Sequence, residues 1–401
     1  MTDQKMIHRD QALAAILANT TPLESVRVLL EQAYDHVAVG DIRAIEDFPG
    51  CDRALRDGYV LSSRDTRTAT SDNPARLEII GTIRSSMPLP FPLQSGQAGR
   101  IMTGGAIPGG ADTVVKDEEA TCRGKELILY APVKPGRYTA KKGKDIKKGE
   151  WIIRAGQRFT PATLGTLGSL RIREVDVVRR PRVSLLAIGN ELAGPKEASA
   201  GDKVMASNLY MASALVTECG NDVQFLDVSK NERQTIQKKM EFAMKGDVII
   251  TMGGSAKSPA DLTRSVLEEL GVDFRITGLS ISPGKTTCFG LYNRKPVFVL
   301  PGTPSAVFTV FYALVRPTLL HLMGRRTQEV GLVSALLDRD IAKKRGTQHW
   351  IQGRVRKVDG RLHVFPLLSP HVDTFPAMNR ANSLILVDAQ QTTVPAGTAV
   401  H

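Results

Sequence analysis

Three short glycine-bearing segments have the composition to hold a phosphate-bearing anion. Gly253-Gly254-Ser255 follows the apolar run 248–252, and Ser282-Pro283-Gly284-Lys285 and Pro301-Gly302-Thr303-Pro304 each lie beside a further extended run. Glycine lets backbone N–H groups come close to a phosphate, and a helix that starts just beyond adds the positive end of its dipole. Lys285 would contribute a point charge. Asp227 and Asp261 follow two different apolar runs and could bracket Mg2+, which takes one or two carboxylates together with a ligand's phosphates. Taken singly, each feature has a plainer reading as a tight turn, a surface lysine or a helix-capping carboxylate. The functional reading rests on the three loops meeting in one crevice outside the strand ends.

The elements that must position them are legible as an alternation of strands and helices. The strand 183–188 is followed by a helix over 206–218, a strand over 223–228, a helix over 232–244 and a strand over 247–252. A helix over 260–270, strands over 274–279 and 297–300, and a helix over 306–322 complete the run. Such lengths suit a doubly wound α/β domain with a mostly parallel sheet covered on both faces. Before it, 10–36 has apolar residues at helical spacing and reads as one or two helices broken near Thr20-Thr21-Pro22, with Pro22 suited to a helix start. From 48 to 138 short alternating strands are punctuated by Pro-Gly, Gly-Gly and Asp-Gly, and a helix is expected over 161–170. After Gly324 the period changes to two, with an Asp359-Gly360 hairpin turn. The expected organisation is therefore N-terminal helices and a linker strand (1–46), a β-rich domain (47–139), linker strands and a helix (140–178), the α/β domain (179–325) and a small C-terminal β-barrel (326–401).

Composition narrows the partners. With 401 residues, 42% hydrophobic and 23% charged, more than one core is expected. No apolar run reaches the length of a bilayer span and the first ten residues are polar, so a soluble, cytoplasmic protein with no membrane partner is expected. Cys51, Cys122, Cys219 and Cys288 are far apart and share no metal-ligand spacing with the seven histidines, which points to reduced thiols. The formal net charge of +12 calls for an anionic partner. Its densest run, 137–148, is broken by glycines and carries only Tyr138 as a stacking ring, unlike a nucleic-acid-binding face, and reads as a solvated hairpin.

The chain resembles the MoeA family, the molybdopterin molybdenumtransferases, whose relatives include the C-terminal domain of gephyrin. The likeness runs nearly end to end. It is carried by Asp52-Arg53-Ala54 with Asp57-Gly58-Tyr59, Arg100-Ile101-Met102-Thr103-Gly104, Gly110-Ala111-Asp112-Thr113, Gly143-Lys144-Asp145-Ile146, Gly189-Asn190-Glu191-Leu192, Asn208, Gly253-Gly254-Ser255, Pro283-Gly284-Lys285 and Pro301-Gly302. The resemblance implies a four-part protomer that dimerises, its active site built by the α/β domain and completed by the partner's β-rich domain. It implies adenylylated molybdopterin, molybdate and Mg2+ as reactants and release of molybdenum cofactor with AMP. Carried over by position, Asp57, Thr103, Asp145 and Glu191 become catalytic candidates and Asp227, Asp261 and Glu191 metal ligands. Gly253, Gly254, Ser255, Asp227, Asp261, Lys285, Pro301 and Gly302 become ligand-binding candidates. Cleavage of a phosphoanhydride beside an oxyanion calls for such cationic and N–H partners.

The chain departs from the family pattern at several of these places. A Lys-Pro-Gly-Lys-Pro run is here Ser282-Pro283-Gly284-Lys285-Thr286, and Pro-Gly-Asn-Pro-Val-Ser is here Pro301-Gly302-Thr303-Pro304-Ser305-Ala306. Thr-Gly-Asp-Glu is Ile188-Gly189-Asn190-Glu191, and Phe-x-Arg is Trp350-Ile351-Gln352. These changes define an alternative expectation, a MoeA-like paralogue that binds a pterin or nucleotide without inserting metal.

Overall fold

The computed structural model describes residues 6–84, 92–194, 203–253, 262–325, 332–367 and 374–401. Helix α1 (Arg9–Ala18) is capped by His8, whose Nδ1 accepts the Asp10 amide. It packs Ala12 and Ile16 into the core of the α/β layer. The second N-terminal helix expected from Pro22 onward is not formed. Ser25–Leu29 is strand β1 instead, followed by a single 3-10 turn at Leu30–Gln32. The reason is tertiary. Val26 and Val28 alternate into a small apolar cluster, and Ser25 to Leu29 pair antiparallel with 174–178. Arg27 meets Asp176 across that pair at 2.9 Å. β-Branched residues at every second position suit such a half-buried strand better than a helix.

The β-rich part contains β2 (Gly58–Leu61), β3 (Ala75–Ile83), β4 (Gln97–Ile101), β5 (Thr113–Lys116), β6 (Thr121–Arg123) and β7 (Glu126–Leu129). They form one sheet in the order β5-β2-β4-β3-β7-β6. Its two faces carry separate apolar clusters, one around Leu61, Leu77 and Leu127 and one around Val60, Ile101 and Val114. Helix α2 (Pro161–Ser169) starts as expected from a Thr160 cap with Pro161 at its first turn, and β8 (Glu174–Val178) returns to pair with β1.

The α/β layer comprises β9 (Arg182–Ile188), α3 (Ser207–Glu218), β10 (Asp222–Ser229), α4 (Arg233–Ala243), β11 (Val248–Met252) and α5 (Leu262–Glu269). It continues with β12 (Asp273–Ile276), β13 (Ile281–Ser282), β14 (Cys288–Tyr292), β15 (Lys295–Leu300), α6 (Pro304–Val310) and α7 (Arg316–Leu322). The sheet order is β10-β9-β11-β15-β14-β12, parallel through the first four strands. α1, α3, α6 and α7 cover one face and α4 and α5 the other. Strands buried on both sides need apolar residues at nearly every position, which is what β9, β11 and β15 have. Strand β14 was absent from the sequence reading. It turns into β15 through Asn293 and Arg294, both at positive φ, and so makes that edge antiparallel. α6 and α7 are joined by a π turn at Phe311–Val315 into one run, Pro304–Leu322. Among the described residues this is the helix long and apolar enough to cross a bilayer, and 78% of it is buried in the fold.

The C-terminal strands β16 (Ala335–Leu337), β17 (Gln348–Val358), β18 (Arg361–Pro366), β19 (Ser383–Val387) and β20 (Ala399–Val400) form a closed circuit. Their neighbours run β19-β17-β18-β16-β20, and the Leu386 amide donates to the carbonyl of His401 beyond β20 at 3.0 Å. The Asp359-Gly360 turn between β17 and β18 takes the positive φ values that such a tight hairpin requires. Strand β13 pairs in parallel with β17, and Trp350 of β17 is buried in the α/β core, so the barrel and the α/β layer share a sheet edge and a core.

At the amino-terminal edge of the parallel sheet, Asp247 receives Arg179 at 2.8 Å and 3.0 Å and the Arg182 amide at 2.8 Å. Burial raises its carboxyl, but the Arg179 and Arg182 hydrogen bonds outweigh this, so its pKa ends below the ordinary value. A depressed carboxylate contributes stability at pH above its unfolded value, near 3.9, and loses it as pH falls through the folded value. Asp247→Asn should therefore lower stability at pH 7 by about 3 kcal/mol, because it leaves a half-buried guanidinium short of a partner. The gap from the parent should narrow below about pH 4 in a pH series of denaturant unfolding curves. Thiol chemistry gives a second check. Cys51 and Cys122 are exposed, whereas Cys219 and Cys288 are buried, and burial pushes the Cys219 thiol up to about 11. A maleimide titration of the native protein should label Cys51 and Cys122 quickly and the other two only on unfolding.

Candidate active site at the strand ends

Strands β9, β10, β11 and β15 all end on one edge of the sheet, at Ile188, Ser229, Met252 and Leu300. From β9 the chain passes by α3 to β10 on one side, and from β11 it proceeds to the opposite side. The gap between β9 and β11 is therefore the switch point where α/β sheets open a crevice.

Three exits meet there. Gly253 leaves β11 at φ 92, and a Cβ at that position would stand 2.4 Å from the Ile188 carbonyl oxygen. Its amide donates to Leu300 at 3.1 Å. Gly302, after β15, lies against Gly253, since a Cβ added to it would be 3.5 Å from the Gly253 Cα. Pro301 joins β15 to this turn. The Gly302 carbonyl accepts Nδ2 of Asn208, in the first turn of α3, at 2.7 Å. The amino ends of α3 and of the helix starting at Pro304 thus both reach the crevice and are tied to each other. Each brings the partial positive charge of its helix dipole.

Glu191 follows β9 and is exposed. It folds over Gly189, where an added Cβ would lie 2.6 Å from its Oε1. Asn190 Oδ1 accepts the Asn231 amide at 2.9 Å, joining the exits of β9 and β10. Asp227 lies within β10. One of its oxygens accepts the Val228 amide at 2.8 Å and the other is ion-paired with Lys239 of α4. Lys285 is exposed on the turn after β13, whose Gly284 sits directly on α6, an added Cβ there falling 2.6 Å from Val310 Cγ2. Gly254, Ser255 and Asp261 lie outside the described residues.

A second cluster belongs to the β-rich sheet. Asp57 Oδ1 accepts both the Thr103 amide (2.6 Å) and the Thr103 hydroxyl (2.7 Å), with the amide the main reason its carboxyl falls below the ordinary range. The following Gly58 is obligatory, since a Cβ would stand 1.9 Å from the Val115 carbonyl oxygen. Asp145 is exposed in the loop 141–149, whose amide at 145 donates to Phe48. That loop carries most of the basic run 137–148. It is solvent-facing and partly neutralised, Lys141 by Asp52 at 2.7 Å and Lys142 by Asp47 at 3.6 Å.

The structure thus gathers Gly253, Pro301 and Gly302 with Glu191 at the β9 exit, sets Lys285 on a turn bordering the same helix, and keeps Asp57 and Thr103 bonded within the other sheet. Among the described residues no group of three His, Cys, Asp or Glu side chains stands ready for a metal. The Lys239 partner of Asp227 and the Asn208 clamp on Gly302 were not anticipated. Asn208 was part of a recognised motif, but no sequence signal gave its bond to a turn 94 residues away.

Comparison with known proteins agrees with this geometry. The description "MoeA N-terminal region (domain I and II)" matches residues 7–170, and "Probable molybdopterin binding domain" matches 184–321, the segment that carries the strand-end crevice. A molybdopterin molybdenumtransferase of Bacillus subtilis (strain 168) is 29% identical over 94% of this chain and 89% of its own length. One from Staphylococcus aureus (strain COL) is 26% identical over 97% and 93%. The crystal structure of a molybdopterin biosynthesis MoeA protein from Pyrococcus horikoshii is 29% identical and superposes with a TM-score of 0.83, covering 99% of this chain and 98% of that one. With two MoeA regions in order along it and a MoeA structure matched from end to end, this chain belongs to the MoeA family.

Proposed function

We propose that the protein is a molybdopterin molybdenumtransferase acting in molybdenum cofactor biosynthesis, inserting molybdate into adenylylated molybdopterin with release of AMP. The observation that carries this reading is the meeting of Gly253, Gly302 and two helix amino ends at the switch point of the segment matched as molybdopterin-binding. Pyrophosphate and molybdate are both anions, and an edge built from helix amino ends suits them electrostatically. In this reading Lys285 supplies the mobile positive charge and Glu191 faces the ligand's phosphates.

Mg2+ enters through the charge on those phosphates. Glu191 is the described carboxylate that would hold it, consistent with an ion carried largely by ligand oxygens. Asp227 is assigned to its ion pair with Lys239 rather than to the metal. When bound, Mg2+ would supply positive charge to the phosphoanhydride oxygens. We further propose that the working form is a homodimer. The hydrogen bonds of Asp57 and Thr103 stay within their own sheet, and a second copy would bring that cluster and Asp145 to the crevice. A cytoplasmic setting fits four cysteines that form no disulfide.

Incubation with adenylylated molybdopterin, molybdate and Mg2+ should release AMP and yield active cofactor, and the absence of both products would overturn the reading. Glu191→Gln should lower AMP release by at least ~10-fold and raise the Mg2+ concentration needed for half-maximal rate. Asp227→Asn should leave that Mg2+ dependence where it is, whereas a shift would return Asp227 to the metal. Gly253→Ala combines a left-handed backbone with a clash against Ile188. It should cost about 3 kcal/mol in urea unfolding and abolish AMP release under conditions where the variant is still folded.

A further inference from the structure

The amide of Asn208 is held in one orientation. The Gly302 carbonyl can only accept, so the group 2.7 Å from it must be Nδ2, and the two ends of the amide cannot be exchanged. This leaves Oδ1 pointing away from Gly302, and Oδ1 is buried with no hydrogen-bond partner among the described residues. A buried acceptor left unmet is costly, and protein interiors rarely keep one without a use. The use is indicated by position. Asn208 stands in the first turn of α3, at the edge where the β11 and β15 exits meet.

Phosphate and molybdate oxygens are acceptors and cannot satisfy this atom. What satisfies it is an O–H or N–H donor on the same ligand, a short distance from its phosphates. Resting on the function proposed above, we propose that Asn208 is a specificity-determining residue whose Oδ1 accepts a hydrogen bond from a donor of the bound pterin nucleotide. Two sources offer that chemistry, a ribose hydroxyl of the nucleotide half and a ring N–H of the pterin half. Through Nδ2 the same side chain fixes the Gly302 turn, so recognition of the donor and placement of the anion-facing turn are mechanically joined. A ligand lacking the donor would leave Oδ1 buried and unpaired, and such sites reject donor-lacking analogues more strongly than apolar pockets reject size changes.

The test is a cycle between protein and ligand variants, read as dissociation constants by calorimetry on the full-length protein. The probes are AMP, its 2′-deoxy and 3′-deoxy analogues, and molybdopterin. If the donor is a ribose hydroxyl, the unaltered protein should bind one deoxy analogue about 10-fold more weakly than AMP, and Asn208→Ala should bind the two equally. If the donor is on the pterin, Asn208→Ala should weaken molybdopterin about 10-fold more than it weakens AMP, and the deoxy analogues should keep the affinity ratios to AMP that the unaltered protein shows. Asn208→Asp keeps an acceptor while losing the clamp, so it should bind all probes more weakly yet retain the discrimination that Asn208→Ala loses. This second variant separates recognition from a merely structural role. The assignment is overturned if Asn208→Ala keeps whatever discrimination between AMP and its deoxy analogues the unaltered protein shows and also weakens molybdopterin no more than it weakens AMP. Failure of the unaltered protein to bind AMP or molybdopterin at all would instead overturn the proposed function, and this assignment with it.

Discussion

Where β11 leaves the sheet, the carbonyl oxygen of Ile188 fills the space that a side chain at position 253 would need. The constraint is steric and local, yet most of the candidate site follows from it. Because nothing projects from Gly253, the β11 exit can cross the end of β9, and the β15 exit can lie flat against it at Gly302. The Gly302 carbonyl then faces α3 at the distance at which Asn208 can bind it. Two helices on one face of the sheet, α3 and the run from Pro304, are thereby fixed with their amino ends on a common edge. A single methyl group at 253 would separate strands whose parallel pairing is otherwise continuous.

The sheet also sorts charge between its two edges. At the amino edge Arg179 is shared by Glu24 and Asp247, and Asp247 also receives the Arg182 amide, so positive side chains there are consumed by the fold. Two of the five lysines in the basic loop 141–149 are answered by Asp52 and Asp47. At the carboxyl edge the arrangement differs. Asp227, which would weaken an anion site, is neutralised by Lys239, and the remaining positive potential comes from the helix ends. The net charge of +12 was a poor guide to this, because a sum over the chain does not distinguish cations that are paired from those facing a crevice.

Much of the α/β layer was legible because its central strands are buried on both faces and must be apolar throughout, so Val183 to Ile188 and Val248 to Met252 announce themselves. The hairpin at Asp359-Gly360 was legible for a different reason, as those residue types tolerate positive φ. Asn293-Arg294 makes a comparable turn, but an arginine at positive φ has no sequence signature, and β14 was missed with it. β1 was read as helix because its apolar spacing fits both periods, and only the partner strand 174–178, nearly 150 residues later, decides between them. The same limit applies to the site. Glycines and carboxylates could be nominated one by one, whereas the Lys239 partner of Asp227 and the orphaned oxygen of Asn208 are properties of pairs brought together by the fold.

Lys285 shows how far such a pairing can reach. Its turn is bounded by β13, which adds to the barrel strand β17, so that Gln348 donates its amide to Ser280 and Ile281 stands opposite Gln348. The N-terminal segment enters the same place, with Ile7 exchanging backbone hydrogen bonds with Gly278 and Ser280, while Arg9 bonds the Ala313 carbonyl and lies over the Trp350 ring. On its other side Gly284 is pressed against Val310 of α6. Two distant stretches of chain and one helix therefore converge on the backbone that carries a single exposed ammonium. A flexible lysine on an unsupported loop would be positioned mainly by its own rotamers. Here the turn that carries it is anchored by a neighbouring sheet strand, so in the proposed role the ordering cost left to an oxyanion at Lys285 falls on the side chain. The barrel and the N-terminal segment, though remote in sequence, thus hold this turn in place.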